Sequence, residues 1–487
     1  MAGLSKEDLA QMNRKYFQSL EKERLVEVAN NLHLYAVEQW EKNNSDSSNT
    51  NQPPSQDNPF EQKQKAAEER QSKSHQPKRK AGRQKGSKGF GRSQILKVDE
   101  IIPHYPNRCS ACNQVSITYD EKPYMGHRVL ELERTELELK IVCQLHHYYQ
   151  GSCTCGHQSK SKPGEGITSK IEGRTRDLKV TEYVLVGSVF ATLIASMGVR
   201  YRLSRAKIQE FLLDWLGVKL STGTIDRCIR EAGIACEPVV EELLGSLQLA
   251  EILHVDETPW YQKGKLYWLW VAINSKTAVF RIAPRTKAEF KQLVNEAFVG
   301  WLITDGYGAY RHRERRQRCL AHLIRKAIRI SQSIYSRIAR IGRLILGNLR
   351  NFIHAIREGK NRAELDQIIC SLRGICYVGK NANQVRYQKL KALASEILND
   401  WDAVIAAVNN PHLPLTNNEA ERALRHAVIA RRISHGTRTN EGSIAYSCLL
   451  SVIETCRLRQ VNPWEYLSSV IKLARKGLSP PKFPVAA

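Results

Sequence analysis

Residues 254–260 read H-V-D-E-T-P-W and place two adjacent carboxylates, Asp256 and Glu257, just after the apolar stretch Leu249-Ala-Glu-Ile-Leu253. Another acid, Asp305, closes the apolar segment of G-W-L-I-T-D-G-Y-G-A-Y and stands before Gly306. Acids at the ends of two strands suit a hard divalent cation, because Mg²⁺ takes oxygen ligands and keeps several of its waters. Side chains alternate along a strand, so Asp256 and Glu257 point to opposite faces and only one can share a site with Asp305. His254 lies on the Asp256 face. A third acid would hold the ion better, and P-L-T-N-N-E-A-E-R-A-L-R-H-A-V supplies two candidates. Asn417 or Asn418 caps a helix there, with Glu419 and Glu421 in its first turns. Both flank the apolar stripe of Ala420, Ala423, Leu424, Ala427 and Val428, so periodicity leaves the choice open.

Cysteine spacing points to different chemistry. Cys109-x-x-Cys112 and Cys153-x-Cys155 flank R-V-L-E-L-E-R-T-E-L-E-L-K-I-V, which alternates like strands. Two close pairs around such a segment suit a tetrahedral zinc ion with four thiolate ligands. The C-x-C pair is the tighter and less common spacing, and Cys143, His146, His147 and His157 are alternative ligands. The zinc would be structural, holding a ribbon whose own core is too small.

The elements that position these groups follow from composition and pattern. The 487 residues suffice for two to four domains, and 42% hydrophobic content permits sizeable cores. Lys and Arg number 74 against 49 Asp and Glu, for a net charge of +25, which calls for a polyanionic partner, nucleic acid first. The most apolar run, Tyr183 to Met197, is short and interrupted by Gly187, Ser188, Thr192 and Ser196, so it reads as a core helix and excludes a membrane partner. No signal peptide opens the sequence, and twelve unevenly spread cysteines suit a reducing cytoplasm.

Residues 1–42 read as a helix, with a Ser5/Asp8 capping box and a leucine pattern fit for a coiled coil or for docking on the body. Residues 43–94 are a polar, then basic, low-complexity linker whose Arg83, Lys85 and Lys88 would meet phosphates. A zinc module is expected over 95–165 and a helical region over 170–245. In the latter, Ser204 caps a helix ending at Leu216-Gly217, and Ser221 or Thr222 caps a second one bearing Arg227 and Arg230. That is a helix-turn-helix pattern. From 248 the pattern switches to strands: L-A-E-I-L-H-V-D-E, then a hairpin around Asn274-Ser275-Lys276.

The motifs H-V-D-E-T-P-W, T-D-G-Y-G-A-Y, C-L-A-H-L-I-R-K and T-N-N-E-A-E-R-A-L-R resemble, in order and spacing, transposases of the insertion sequence 66 type. The resemblance spans most of the chain. It implies a multidomain α/β protein with an RNase H-like catalytic core, placed over 248–460; the helix-like periodicity and arginines at about 320–412 read as a helical insertion in that core, and a C-terminal tail is expected over 461–487. It implies a metal-binding triad of Asp256, Asp305 and Glu421, which breaks the tie with Glu419, and it sets Cys319 and His322 near the active site. Two Mg²⁺ ions about 3.5–4 Å apart would serve the attacking and leaving oxygens of a phosphodiester. Two departures, Thr416 before the double Asn and G-R-Q-K-G-S-K-G-F-G-R in the linker, leave the three acids untouched.

The resemblance thus implies binding of terminal repeats and of target DNA, strand cleavage and strand transfer, in at least a dimer, at the nucleoid. It leaves open whether accessory proteins of the element take part. The stretch 311–318, with Arg325, Lys326, Arg329, Arg337, Arg340, Arg343 and Arg350, is expected to help the insertion grip DNA, and Arg422, Arg425, Arg431, Arg432 and Arg438 are further candidates. The rival readings are a non-enzymatic zinc-containing DNA-binding protein and a structure-specific RNase H-like nuclease.

Overall fold

A computed structural model describes residue 12, residues 14–43, residue 94, and residues 96–136, 138–169, 178–382 and 387–484. The expected capping box at Ser5 and Asp8, and Arg83, Lys85 and Lys88 of the basic linker, lie outside the described residues. The chain divides into two compact units. One comprises 1–81 and 301–417, the other 82–300 and 418–487.

Where one N-terminal helix was expected, two are found, α1 (Arg14–Ser19) and α2 (Lys22–Asn43). In the second unit, six strands follow: β1 (Glu100–His104), β2 (Ile117–Tyr119), β3 (Met125–Arg134), β4 (Leu139–Tyr148), β5 (Gln150–Cys153) and β6 (Gln158–Lys160). They make two small sheets, β1-β4-β3 and β2-β5-β6. A two-stranded ladder, β7 (Ile167–Ser169) with β8 (Leu178–Val180), leads into the helices.

The first of these, α3 (Ser188–Val199), starts at Gly187, which has no side chain to cap it. Glu131 of β3 does this instead, accepting the N–H groups of Ser188 at 2.9 Å and Phe190 at 3.0 Å. A Cβ on Gly187 would stand 2.2 Å from that carboxylate. Next come α4 (Arg205–Leu216), capped by Ser204, and α5 (Thr222–Ala235), capped by Ser221, as their sequences predict. Gly217 ends α4 at φ +63°, a conformation that favours glycine. The helix α6 (Glu237–Leu247) completes the group.

The strands β9 (Ile252–Gln262), β10 (Lys265–Ile273) and β11 (Ala278–Ala283) form an antiparallel meander. Here the structure departs from expectation, because β9 does not stop at Asp256. It runs on through Pro259 to a two-residue turn, Lys263-Gly264, both at positive φ, the geometry that matches the twist of a hairpin. Asp256 therefore stands in mid-strand opposite Val271. The helix α7 (Lys287–Leu293), capped by Thr286, follows.

In the first unit, β12 (Trp301–Thr304) pairs in parallel with β13 (Arg316–Arg318). Among the described residues of 301–417, five α-helices follow: α8 (Leu320–Ser331), α9 (Ser336–Arg357), α10 (Arg362–Lys380), α11 (Gln388–Asn399) and α12 (Trp401–Ile405). Their apolar faces share one core that includes Leu323, Leu349, Phe352, Leu372 and Ile397.

The chain then returns to the second unit. There α13 (Asn418–Ser434) packs on β9 and β10, and α14 (Asn440–Leu458) packs on β11 and α5. Residues 461–487 were expected as a tail. They contain α15 (Pro463–Arg475), whose Tyr466, Leu467, Val470 and Ile471 are buried and which packs on α3. Among the described residues, no helix is long and apolar enough to cross a membrane.

Candidate functional site

The four cysteines singled out by spacing are gathered in one cluster, their sulfurs all within 4.8 Å of one another. Cys109 Sγ lies 3.6 Å from Cys155 Sγ, and Cys112 Sγ lies 3.5 Å from Cys153 Sγ. Tetrahedral zinc with Zn–S bonds of about 2.3 Å separates its sulfurs by roughly 3.8 Å, so the cluster has the size and donor chemistry of a zinc site. Local electrostatics make the thiols unequal. Backbone N–H groups of Cys112 and Ala111 pull the Cys109 thiol down to about 6. Cys112, despite the lowering hydrogen bond from the Gln114 backbone, is pushed up to about 12, chiefly by the Cys155 thiol and by burial. Such a set ionises fully only with a cation at its centre. Of the alternative ligands, Cys143 is buried in the neighbouring sheet, while His157 stands beside the cluster with its Nε2 2.8 Å from Ser110 Oγ.

Of the three acids, Asp256 and Glu421 belong to one unit and Asp305 to the other. Asp256 is half-buried, and its Oδ1 accepts the Glu257 N–H at 2.9 Å. Its register partner Val271 packs with Ala420, Ala423, Leu424 and Ala427 of α13. Asp256 thus stands on the face of the meander that α13 covers, and Glu421 lies in the first turns of that helix. Glu257 faces the other way and is buried. It holds Arg285 through Nε at 2.9 Å and Nη2 at 2.6 Å. The Arg285 guanidinium also lies over the Trp268 ring, 4.3 Å from its centre. Glu257 thus serves as the salt-bridge partner of an arginine that the sequence gave no means of choosing.

Asp305 directly follows β12, and its Oδ1 accepts the Tyr307 N–H at 2.9 Å in an Asx turn. Gly306 is required by packing, since a Cβ there would lie 2.1 Å from the Arg318 guanidinium. That guanidinium belongs to a buried network. Asp400 takes two hydrogen bonds from Arg316 and one at 3.5 Å from Arg318, while Glu396 pairs with Arg318 and with Lys326 at 2.7 Å. Arg316 and Arg318 are 4% and 1% exposed. This corrects the expectation for the stretch 311–318: two of its arginines are structural and turned away from solvent. Nearby, Cys319 precedes α8, fully buried, with the Asn417 N–H and His322 Nδ1 each 3.2 Å from its sulfur.

The other expected DNA contacts are placed unevenly. Arg227 pairs with buried Glu231 at 2.7 Å, and Arg230 with Asp226 at 2.9 Å and Glu441 at 3.5 Å. The second half of α5 is buried, leaving its first turn and Arg227 exposed. Arg431 is half-buried and donates to the Pro259 carbonyl and to Thr258 Oγ1, so it ties α13 to β9 and does not reach outward. Arg422 pairs with Glu419. Arg325, Arg425, Arg432 and Arg438 are exposed.

Residues 186–445 match the model of the Transposase IS66 family, and the chain belongs to that family. It is also similar to three uncharacterized proteins of Sinorhizobium fredii (strain NBRC 101917 / NGR234). It is 30% identical to y4jO over 101 residues, 21% of this chain and 32% of that protein. It is 23% identical to y4hP over 418 residues, covering 70% and 72% of the two chains. To y4jD it is 21% identical over 436 residues, 80% of each. The chain thus spans about a third of the first relative and most of the other two.

Proposed function

We propose that this chain binds the terminal repeats of its insertion sequence and cuts and joins DNA strands in an RNase H-like core, with Asp256, Asp305 and Glu421 as ligands of catalytic magnesium. The reading rests on family membership and on one observation within the matched region. Asp256 stands on the face of a sheet covered by the helix whose first turns hold Glu421. An acid in mid-strand and another at a helix start are held by rigid elements, as a metal site needs. Asp305, anchored by its own Asx turn, supplies the third carboxylate. The donor set fits a hard cation, being three carboxylates. Magnesium bound there would supply the Lewis acidity for in-line substitution at phosphorus. The chain's own part is to hold the oxygens still, while the arginine-rich surface neutralises the phosphates that must approach them.

The zinc module and the exposed first turn of α5 would engage the element ends, and a structural zinc ion in the Cys109, Cys112, Cys153 and Cys155 cluster would hold the module's short strands in register. Two element ends need at least two protomers.

The test is incubation with labelled element ends and Mg²⁺ or Mn²⁺. Wild type is expected to nick the ends, and Asp256→Asn, Asp305→Asn and Glu421→Gln to bind DNA without nicking. An active Glu421→Gln beside a dead Glu419→Gln would overturn the third ligand. Tight binding without cleavage in any metal would make the protein a non-enzymatic binder. Cutting of branched DNA regardless of end sequence would make it a nuclease.

A further inference from the structure

The 22-residue helix α9 has a composition that a merely solvated surface helix does not need. Its inner side is apolar, with Ile338, Ile341, Ile345, Leu349 and Phe352 buried in the core of its unit. Its outer side carries Arg337, Arg340, Arg343, Arg350 and Arg357, all exposed. At 100° per residue these five fall within an arc of roughly 160°. The helix contains neither Asp, Glu nor Lys, and no acid occurs anywhere between Glu314 and Glu358. Among the described residues, none of the five has an ion-pair partner, in contrast to Arg316 and Arg318 in the same unit.

Exposed helix faces are normally laced with charges of both signs three and four residues apart, because like charges at those spacings repel. A row of cations without ion-pair partners carries that repulsion until a polyanion relieves it. Two further features narrow the polyanion. All five cations are arginine, whose planar fork suits phosphate oxygens better than an ammonium does. The row from Arg337 to Arg357 spans about 30 Å at 1.5 Å per residue, close to one turn of B-form DNA at roughly 34 Å.

We infer that this face of α9 is a phosphate track that holds duplex DNA by its backbone, without reading its sequence. The inference deepens the DNA-transposing function proposed above and rests on it. The side chains are set for phosphates along one strand edge, so the grip serves DNA of any sequence, target DNA included.

The test is the salt dependence of binding to a random-sequence 30-base-pair duplex by fluorescence anisotropy. It compares full-length wild type with the triple variant Arg343→Gln, Arg350→Gln, Arg357→Gln and with the corresponding triple Lys variant. Each lost phosphate contact lowers the slope of log K against log salt by about 0.9. The Gln variant is expected to lose roughly 2–3 units of slope and at least tenfold in affinity near 100 mM salt, with an unchanged melting temperature. The Lys variant should keep the slope. An unaltered slope in the Gln variant, with wild type still binding, would overturn the track and leave the catalytic reading standing. A slope change seen with single-stranded RNA and not with the duplex would also overturn it. If wild type bound no DNA at all, the function itself would fall.

Discussion

Two sets of arginines in one unit, fewer than twenty residues apart, have opposite fates. Arg316 and Arg318 sit in a short strand, nearly inaccessible, locked onto Asp400 and Glu396. Arg337 to Arg357 line the outside of α9 without an acid on their helix. In sequence both belong to one basic stretch. Their acids decide the difference: Glu396, on α11, and Asp400, at the junction of α11 and α12, lie about eighty residues downstream and close on the first pair only. A basic run is therefore two things at once, core and surface, and only burial separates them.

The comparison can be broken most forcefully at Asp400. Replacing it by Ala leaves two buried guanidinium groups under-compensated, and losing one partner of a buried ion pair typically costs about 3–5 kcal/mol. The expected result is a large fall in melting temperature. A change below about 1 kcal/mol would show the network to be exposed or rearranged. Acid titration sharpens the same point. Burial alone would raise the Asp400 carboxyl, but hydrogen bonding and charge from Arg316 hold it below the usual carboxylate range. A depressed folded value contributes stability above the unfolded value of about 3.9, and that stability is lost as pH falls through the folded value. Wild type should thus lose stability below about pH 4 more steeply than Asp400→Asn, as followed by circular dichroism at stepped pH.

A middle-sized effect is expected where a carboxylate serves a helix instead of an arginine. Glu131→Ala removes the side chain that satisfies the first N–H groups of α3 and should cost about 1–2 kcal/mol in denaturant unfolding. The smallest effects belong to the exposed set: single Arg→Gln changes at 343, 350 or 357 should alter stability by less than about 0.5 kcal/mol. A substantial stability loss at any of them would make the α9 row structural, like Arg316 and Arg318, and erase the contrast.

Much of this arrangement was legible in residues that act locally. Ser204, Gly217 and Ser221 bracket their helices because caps depend on neighbours in sequence. The four cysteines converge because short loops and tight strands carry each pair. The continuation of β9 past Asp256 was missed because Pro259 argues against a strand interior, while Lys263-Gly264 is a weaker hairpin signal than Asn-Gly. The helix at 463–475, expected as a tail, buries Tyr466, Leu467, Val470 and Ile471 at helical spacing, a periodicity that was readable in the sequence. Partners at long range, such as Asp400 for Arg316, Arg285 for Glu257 and Glu131 for α3, leave no mark in spacing, because burial and tertiary packing select them.

The central claim is that Asp256, Asp305 and Glu421 hold metal together. Iron(II) in place of magnesium, with ascorbate and peroxide, cuts a polypeptide next to the ion through locally formed hydroxyl radicals. With full-length protein, cuts are expected near residues 256, 305 and 421 together, suppressed by excess Mg²⁺ and lost in Asp256→Asn. Cuts confined to one of the three segments, or Mg²⁺-insensitive cuts elsewhere in the chain, would contradict a shared metal site.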